Sequence, residues 1–193
     1  MPKYKAFTPD VELIGSVLEG YKRAINLEAF SAYFAKHGLI DIDPDQWYPL
    51  QKLLDVFSDI SEDPAFMMNF VSIGMAVATH TPLPFDHTHM PIEVALQKFT
   101  EVTQWVNRGT DVGDIYIEIL GPRHVKVIYR LAGPDEYLYG VTYGYMRRLL
   151  PKGTPFKVYF DPDTARREQG GTHTIIHATW DTDYPQMKVP STA

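Results

Sequence analysis

The stretch from Ala78 to Pro91, "ATHTPLPFDHTHMP", holds three of the seven histidines of the chain. His87 and His89 are two residues apart, and in an extended backbone residues at that spacing point to the same side, about 6.5–7 Å apart. Their imidazoles could share a metal ion, with His80 folding back as a third ligand. The stretch lacks the His-Glu-x-x-His spacing of helical zinc sites. A metal-dependent enzyme centred on these three histidines is therefore one hypothesis, and an ordinary polar loop between two helices is the favoured interpretation.

Two further histidines, His173 and His177, lie on one side of a predicted strand near the C-terminus. Four residues of strand span about 13 Å, which is too far for both imidazoles to reach one metal ion. The opposite side of the strand carries Ile176, Ala178 and Trp180, so it is the side that we expect to face the core. We therefore expect the two histidines to face solvent, a partner or a pocket.

Composition excludes several classes of function. The chain has a net charge of −6 and scattered basic residues, whereas a nucleic-acid surface needs a dense patch of lysine and arginine. It has no cysteine, which excludes disulfides, thiolate metal sites and cysteine nucleophiles and fits the expectation of a cytoplasmic protein. No apolar run reaches the roughly 20 residues of a membrane helix. No Ser/His/Asp order, phosphate loop or dinucleotide fingerprint is visible, so catalysis has no positive support.

The first half of the chain has the periodicity of helices. After Thr8-Pro9, apolar residues from Val11 to Tyr21 recur at helical spacing, which predicts a helix beginning near Pro9. Asp43-Pro44 predicts the start of another helix in the same way. The segment "AFMMNFVSIGMAVA" is apolar nearly all round, so we expect a buried helix. Its methionines fit plain core packing or a pliable ligand pocket.

In the strands predicted for the second half of the chain, apolar residues alternate with polar ones. A helix at 91–107 precedes a hairpin at 113–131, a helix at 134–150, and strands at 156–160 and 173–180. The predicted fold class is α+β, with an N-terminal helical part followed by a β-β-α-β-β antiparallel sheet on which helices pack. We expect a single domain over 1–180 and a loose tail over 181–193.

The last predicted helix contains Gly140 and Gly144 on one face, although glycine weakens a helix. One interpretation is close packing of this helix against the sheet. The other is a groove with room for a ligand, walled by Tyr137, Tyr139, Tyr143 and Tyr145, whose hydroxyls would supply a few polar contacts.

From Pro91 to Trp180 the chain resembles the C-terminal part of the haem nitric oxide/oxygen binding fold. That superfamily also includes 4-vinyl reductase-like ligand-binding domains and TRAPP transport-complex subunits. The resemblance rests on the order helix, hairpin, helix, strand pair, and on the ending "EQGGTHTIIHATW", which is similar to the family's glycine, polar residues and alternating strand ending in tryptophan. It covers about half of the chain, and it implies a ligand-binding fold.

The haem-specific residues of that family do not carry over. In haem-binding members a histidine on the helix matching 91–107 ligates iron, and "PIEVALQKFTEVTQWVN" has none. The Tyr-x-Ser-x-Arg element that holds the haem propionates is absent from "YLYGVTYGYMRR". The 4-vinyl reductase-like members carry a cysteine/histidine cluster near the last strand, where this chain has only His173 and His177. Haem is therefore not expected, and the cofactor is unknown.

These observations favour a non-catalytic sensor or small-molecule-binding domain with an apolar, aromatic pocket between the helices and the sheet. The alternative from another class is a dimeric assembly protein that uses the same fold, as the TRAPP subunits do. We expect a homodimer, because Tyr116, Ile128 and Ile175 give the outer side of the strands more apolar surface than a solvated face needs. The predicted pocket residues are Met68, Phe70, Met75, Phe99, Tyr139 and Tyr143.

Overall fold

The computed structural model describes residues 3–24, 27–63, 70–81, 83, 85–87 and 90–181. Met68, His89 and the tail beyond Asp181 lie outside the described residues. The helices in these ranges are α1 Gly15–Ala24, α2 Leu27–Lys36, α3 Leu50–Glu62, α4 Phe70–His80, α5 Ile92–Val106 and α6 Asp135–Leu149. None of them is long and apolar enough to cross a membrane.

The main sheet has four antiparallel strands in the order β4-β5-β7-β6. Its strands are β4 Asp114–Gly121, β5 His124–Arg130, β6 Phe156–Phe160 and β7 Thr174–Trp180. The register places Val127 between Ile117 and Ile176, so the alternating apolar residues share one face. That face is buried, with Val127 at 3% and Ile176 at 0% exposure. The predicted α+β class, the hairpin, the helices α5 and α6 and the closing strand pair are confirmed.

A second, three-stranded sheet contradicts the purely helical interpretation of the first half. Its strands are β1 Glu12–Ile14, β2 Trp47–Pro49 and β3 Asn107–Arg108, in the order β2-β1-β3. The predicted helix start near Pro9 is therefore wrong, since α1 begins only at Gly15. The predicted helix start at Asp43-Pro44 is wrong as well. The Asp43 carboxylate accepts a hydrogen bond from the Asp45 backbone in a local turn, and α3 begins at Leu50.

The helices α4 and α6 cross with their backbones in contact at three glycines. A Cβ added at Gly140 would lie 2.1 Å from the Val71 carbonyl oxygen, and one at Gly74 would lie 2.2 Å from the Tyr137 carbonyl oxygen. A Cβ at Gly144 would lie 2.7 Å from the Ala78 side chain. The close packing predicted from Gly140 and Gly144 is thus present, but the partner is α4 and not the sheet.

Two clusters of buried side chains flank this crossing. One is built from α1, α2, α3 and α4 and includes Leu18, Phe57 and Phe70. The other lies between α5, α6 and the inner face of the main sheet and includes Phe99 and Met146. Tyr137 packs against both clusters. The layer between α5, α6 and the sheet is where the candidate site lies.

Candidate ligand-binding site

An apolar cavity of about 160 Å³ lies between the helices and the inner face of the main sheet. The helix α5 contributes Leu96, Phe99, Val102 and Val106, which recur at helical spacing and so share one side of the helix. The hairpin contributes residues that alternate along its strands and face inward, among them Ile115, Ile117, Val127 and Tyr129.

The helix α6 forms another wall of the cavity. Tyr137, Val141 and Tyr145 are spaced four residues apart and line the cavity together. The rings of Tyr145 and Phe99 are in contact, with their centroids 4.1 Å apart. Tyr21 of α1 also lines the cavity and stacks on Tyr137, with centroids 5.7 Å apart. The cavity is therefore bounded largely by aliphatic side chains and phenol rings.

The polar atoms at the cavity are mostly phenol and threonine hydroxyls. The hydroxyls of Tyr21 and Tyr137 are hydrogen-bonded to each other. The Tyr129 hydroxyl donates to the Thr142 hydroxyl over 2.8 Å, since Thr142 itself donates to the Leu138 carbonyl over 3.0 Å. None of the described residues that line the cavity carries a formal charge at neutral pH. The site can therefore hold an uncharged, mainly apolar molecule and offers it few polar contacts.

Burial keeps these tyrosines in the neutral form. It raises the pKa of Tyr21, Tyr129 and Tyr137 well above the ordinary value of a phenol. Burial also raises the pKa of Tyr145 to about 12. At neutral pH each ring thus carries a hydroxyl that can donate a hydrogen bond, and no phenolate is present.

The residues at the cavity do not fit a haem. The lining residues that the structure describes include no histidine, cysteine, methionine or lysine, so they offer none of the nitrogen or sulfur ligands that hold haem iron. Tyrosine ligates iron as phenolate, and the raised pKa values of the tyrosines oppose that form. A cavity of about 160 Å³ is also small beside the roughly 300–1,000 Å³ pockets of drug-sized ligands.

The structure distributes the predicted pocket residues over several environments. Phe99 lines the cavity. Phe70 lies in the other cluster, edge-on to Phe57 with centroids 5.6 Å apart. The backbone of Met75 faces Gly144 at the α4–α6 crossing.

Tyr139 and Tyr143 lie on a different side of α6 from the cavity. The Tyr139 hydroxyl donates to the Val158 carbonyl over 3.0 Å, and Tyr143 packs on Phe156 with centroids 4.8 Å apart. The groove that the sequence suggested along α6 is therefore divided, because Tyr137 and Tyr145 face the cavity while the other two tyrosines face β6.

The histidine loop is not assembled into a metal site by the residues that the structure describes. His80 is exposed at the end of α4, and its Nδ1 donates to the Ala76 carbonyl over 2.8 Å. His87 is described and His89 is not. No group of three or more potential ligands among the described residues could hold a metal ion. Metal binding at His80, His87 and His89 stays a prediction.

A histidine pair on the outer face of the main sheet was not predicted. The Nε2 atom of His177 lies 2.9 Å from a carboxylate oxygen of Asp161, and its Nδ1 lies 2.8 Å from Nε2 of His124. His177 is only 8% exposed, although it was expected on a solvent, partner or pocket side. The ring of Tyr159 stacks on it and accounts for part of this burial. The strand register that brings His124 beside His177 cannot be read from either segment alone.

Comparison with known proteins identifies the fold. No protein-family model and no curated protein matches the chain. An H-NOX protein from S. oneidensis, solved in an Fe(II) ligation state, superposes with a TM-score of 0.63 and 12% identity, covering 90% of this chain and 98% of that chain. An oxygen-binding H-NOX domain related to soluble guanylate cyclases gives a TM-score of 0.64 and 10% identity, covering 88% of this chain and 93% of that chain.

A third similar structure is an H-NOX protein mutant from K. algicida, with a TM-score of 0.61 and 11% identity. The superposition covers 88% of this chain and 97% of that chain. At such low identity the likeness concerns the fold. The chain thus has the H-NOX fold, the haem nitric oxide/oxygen binding fold that its second half resembles.

Proposed function

We propose that this chain is a sensor domain that binds a small apolar molecule, without haem, in the cavity between α5, α6 and the main sheet. The observation that carries the proposal is the chemistry of the cavity wall. Its described residues are mainly aliphatic and phenolic, and they include no charged residue and no nitrogen or sulfur ligand for iron. Similar structures are described with Fe(II) and with oxygen. In this chain the same fold supports binding through shape and apolar contact.

The size of the cavity limits the size of the ligand. An engineered apolar cavity of about 150 Å³ stays dry and binds benzene or xenon. The cavity here, at about 160 Å³, is of the same order. The ligand is therefore a molecule of roughly the size of benzene or toluene.

The cavity is better suited to binding a ligand than to catalysing a reaction of it. A catalytic site needs a nucleophile, or an acid or base whose pKa lies near the working pH. The hydroxyls here belong to neutral tyrosines and to threonines, and burial moves the pKa values of the tyrosines away from neutrality. The metal-dependent enzyme suggested by the histidine loop gains no support from the described residues, since no group of three or more potential ligands among them could hold a metal ion.

A role in assembly is the second candidate, and one observation favours it. On the outer face of the main sheet, Tyr116 is opposite Ile128, which is opposite Ile175. Tyr116 is 53% exposed. An apolar row across three strands is the kind of surface that a second copy of the chain could cover.

Titration of the protein with toluene, followed by chemical-shift changes in NMR spectra, tests ligand binding. Val102 of α5 lines the cavity, so a Val102→Phe variant fills it and is expected to abolish binding. Val94 lies on the same helix and is 42% exposed, so Val94→Phe adds the same ring outside the cavity and should leave binding intact. Equal toluene binding by both variants would show that the cavity is not the site.

A further inference from the structure

The hydrogen-bonding capacity of the cavity wall is not fully used within the protein. Each tyrosine hydroxyl has one proton to donate. The Tyr129 proton goes to Thr142, and the Thr142 proton goes to the Leu138 carbonyl. These two hydroxyls therefore have no donor left for a ligand.

The Tyr145 hydroxyl differs from them. Its ring lines the cavity and is held against Phe99, with the ring centroids 4.1 Å apart. No residue in the described part of the chain accepts a hydrogen bond from the Tyr145 hydroxyl or donates one to it. A hydroxyl in an apolar wall gains a hydrogen bond when an acceptor enters, and it stays unsatisfied beside a purely apolar molecule.

The Tyr21–Tyr137 pair leaves a second donor at the same cavity. A bond between two hydroxyls uses one of their two protons. The other proton has no acceptor among the residues that the structure describes. The cavity thus presents hydrogen-bond donors, and its described lining presents no cation or anion to match a charged group.

We propose that the ligand is a small uncharged molecule with an apolar body and one hydrogen-bond acceptor, such as a carbonyl oxygen, to which the Tyr145 hydroxyl donates. This inference rests on the proposed function, because it names the ligand class of the same cavity. An ionised carboxylate or ammonium group is excluded by the cost of burying a charge without a partner. A carbonyl oxygen fits best, because it has two lone pairs and no proton of its own.

The test compares cyclohexanone with methylenecyclohexane, which has the same shape but a CH₂ group in place of the oxygen. Dissociation constants for both are measured by NMR titration on the unmodified protein, on Tyr145→Phe and on Tyr143→Phe. Tyr143 is the matched control, because it lies on the same helix but packs on Phe156 outside the cavity. Unfolding midpoints of the variants verify that each is folded.

We expect Tyr145→Phe to weaken cyclohexanone binding by up to about tenfold, the range of a net hydrogen bond, and to leave methylenecyclohexane binding unchanged. Tyr143→Phe should change neither. If Tyr145→Phe leaves both affinities unchanged, or lowers both equally, the inference about the acceptor is overturned while the apolar cavity remains the site. If neither probe binds the unmodified protein, the proposed function is overturned together with the inference.

Discussion

His177 lies between Asp161 and His124 on the outer face of the main sheet and is hydrogen-bonded to both. Because an ionised carboxylate only accepts hydrogen bonds, His177 Nε2 donates to Asp161. In neutral His177 the Nδ1 atom then accepts a hydrogen bond from His124 Nε2. Tyr159 stacks on His177, and the neighbouring Lys126 is paired with Glu118. Positive charges on both imidazoles would repel each other, because the ring centroids are 5.1 Å apart.

This relationship predicts that the protein loses stability as the pH falls. Burial, and to a lesser extent the charge of His177, lower the pKa of His124 below its usual value. The unfolded chain therefore binds a proton at His124 at a higher pH than the folded chain does, so the free energy of unfolding decreases as the pH falls below about 6.5. The hydrogen bond from His177 lowers the pKa of Asp161, and that contribution is present above about pH 3.9 and lost below it.

Urea unfolding at pH 7.5 and pH 5.5 measures the histidine contribution. We expect the decrease in unfolding free energy between these pH values to be smaller in His124→Gln than in the unmodified protein. His173→Gln is the control, because His173 lies outside the His124–His177–Asp161 group and its Nδ1 is hydrogen-bonded to the adjacent Thr172 hydroxyl. An unaltered pH dependence in His124→Gln would contradict the assignment.

The α4–α6 crossing predicts a destabilising glycine-to-alanine substitution inside a helix. Alanine favours a helix over glycine by about 1 kcal/mol, but at Gly140 its Cβ would overlap the Val71 carbonyl. We expect Gly140→Ala to lower the free energy of unfolding by about 1–3 kcal/mol, as overpacked substitutions do. Nothing lies within 4 Å of a Cβ at Gly121, so Gly121→Ala should stay within about 0.5 kcal/mol. A stabilised Gly140→Ala variant in denaturant unfolding would show that the helices are not in contact there.

The outer face of the main sheet predicts self-association. If the row of Tyr116, Ile128 and Ile175 is covered by a second copy, a charge introduced into the row dissociates the dimer. We expect sedimentation at micromolar concentration to give a dimer for the unmodified protein and a monomer for Tyr116→Glu. Val94→Glu, an exposed change on α5, should leave the dimer intact. A clean monomer for the unmodified protein would remove the basis for an assembly role.

The cavity chemistry predicts that the protein does not bind haem in the way expected of haem-binding members of the fold. Haemin added to the purified protein should produce no sharp, stoichiometric Soret band, since α5 presents Leu96, Phe99 and Val102 to the cavity and none of them ligates iron. A stoichiometric band that disappears in His87→Ala or His89→Ala would contradict this and would make the histidine loop the functional site.

The sequence predicted the second half of the fold better than the first for a physical reason. The hairpin at 113–131 alternates over many residues, and its strands pair across a short turn, so its pattern is local. The strands β1, β2 and β3 have only two or three residues each, and their partners are distant, as in the pairing of Glu12 with Pro49 and with Arg108. Strands this short have too few residues to show alternation, and the apolar residues around them also fit a helix.

The sequence predicted a lining residue of the cavity only on α5, where the apolar stripe of a single helix identifies the buried side. Phe99 belongs to an apolar stripe that identifies the inner side of α5. On α6 the spacing of Tyr137, Val141 and Tyr145 places these residues on one side of the helix, and the sequence could have separated them from Tyr139 and Tyr143. Which side faces the cavity depends on the α4–α6 crossing, and that contact is made by residues far apart in the chain.

A crystal structure of the protein grown with toluene would show whether the cavity between α5, α6 and the main sheet holds the ligand. We expect electron density for one toluene molecule between Phe99 of α5 and the inner face of the main sheet, bounded by Val102 and Tyr145. Density for toluene elsewhere on the molecule, with side chains filling the space between α5, α6 and the sheet, would contradict it.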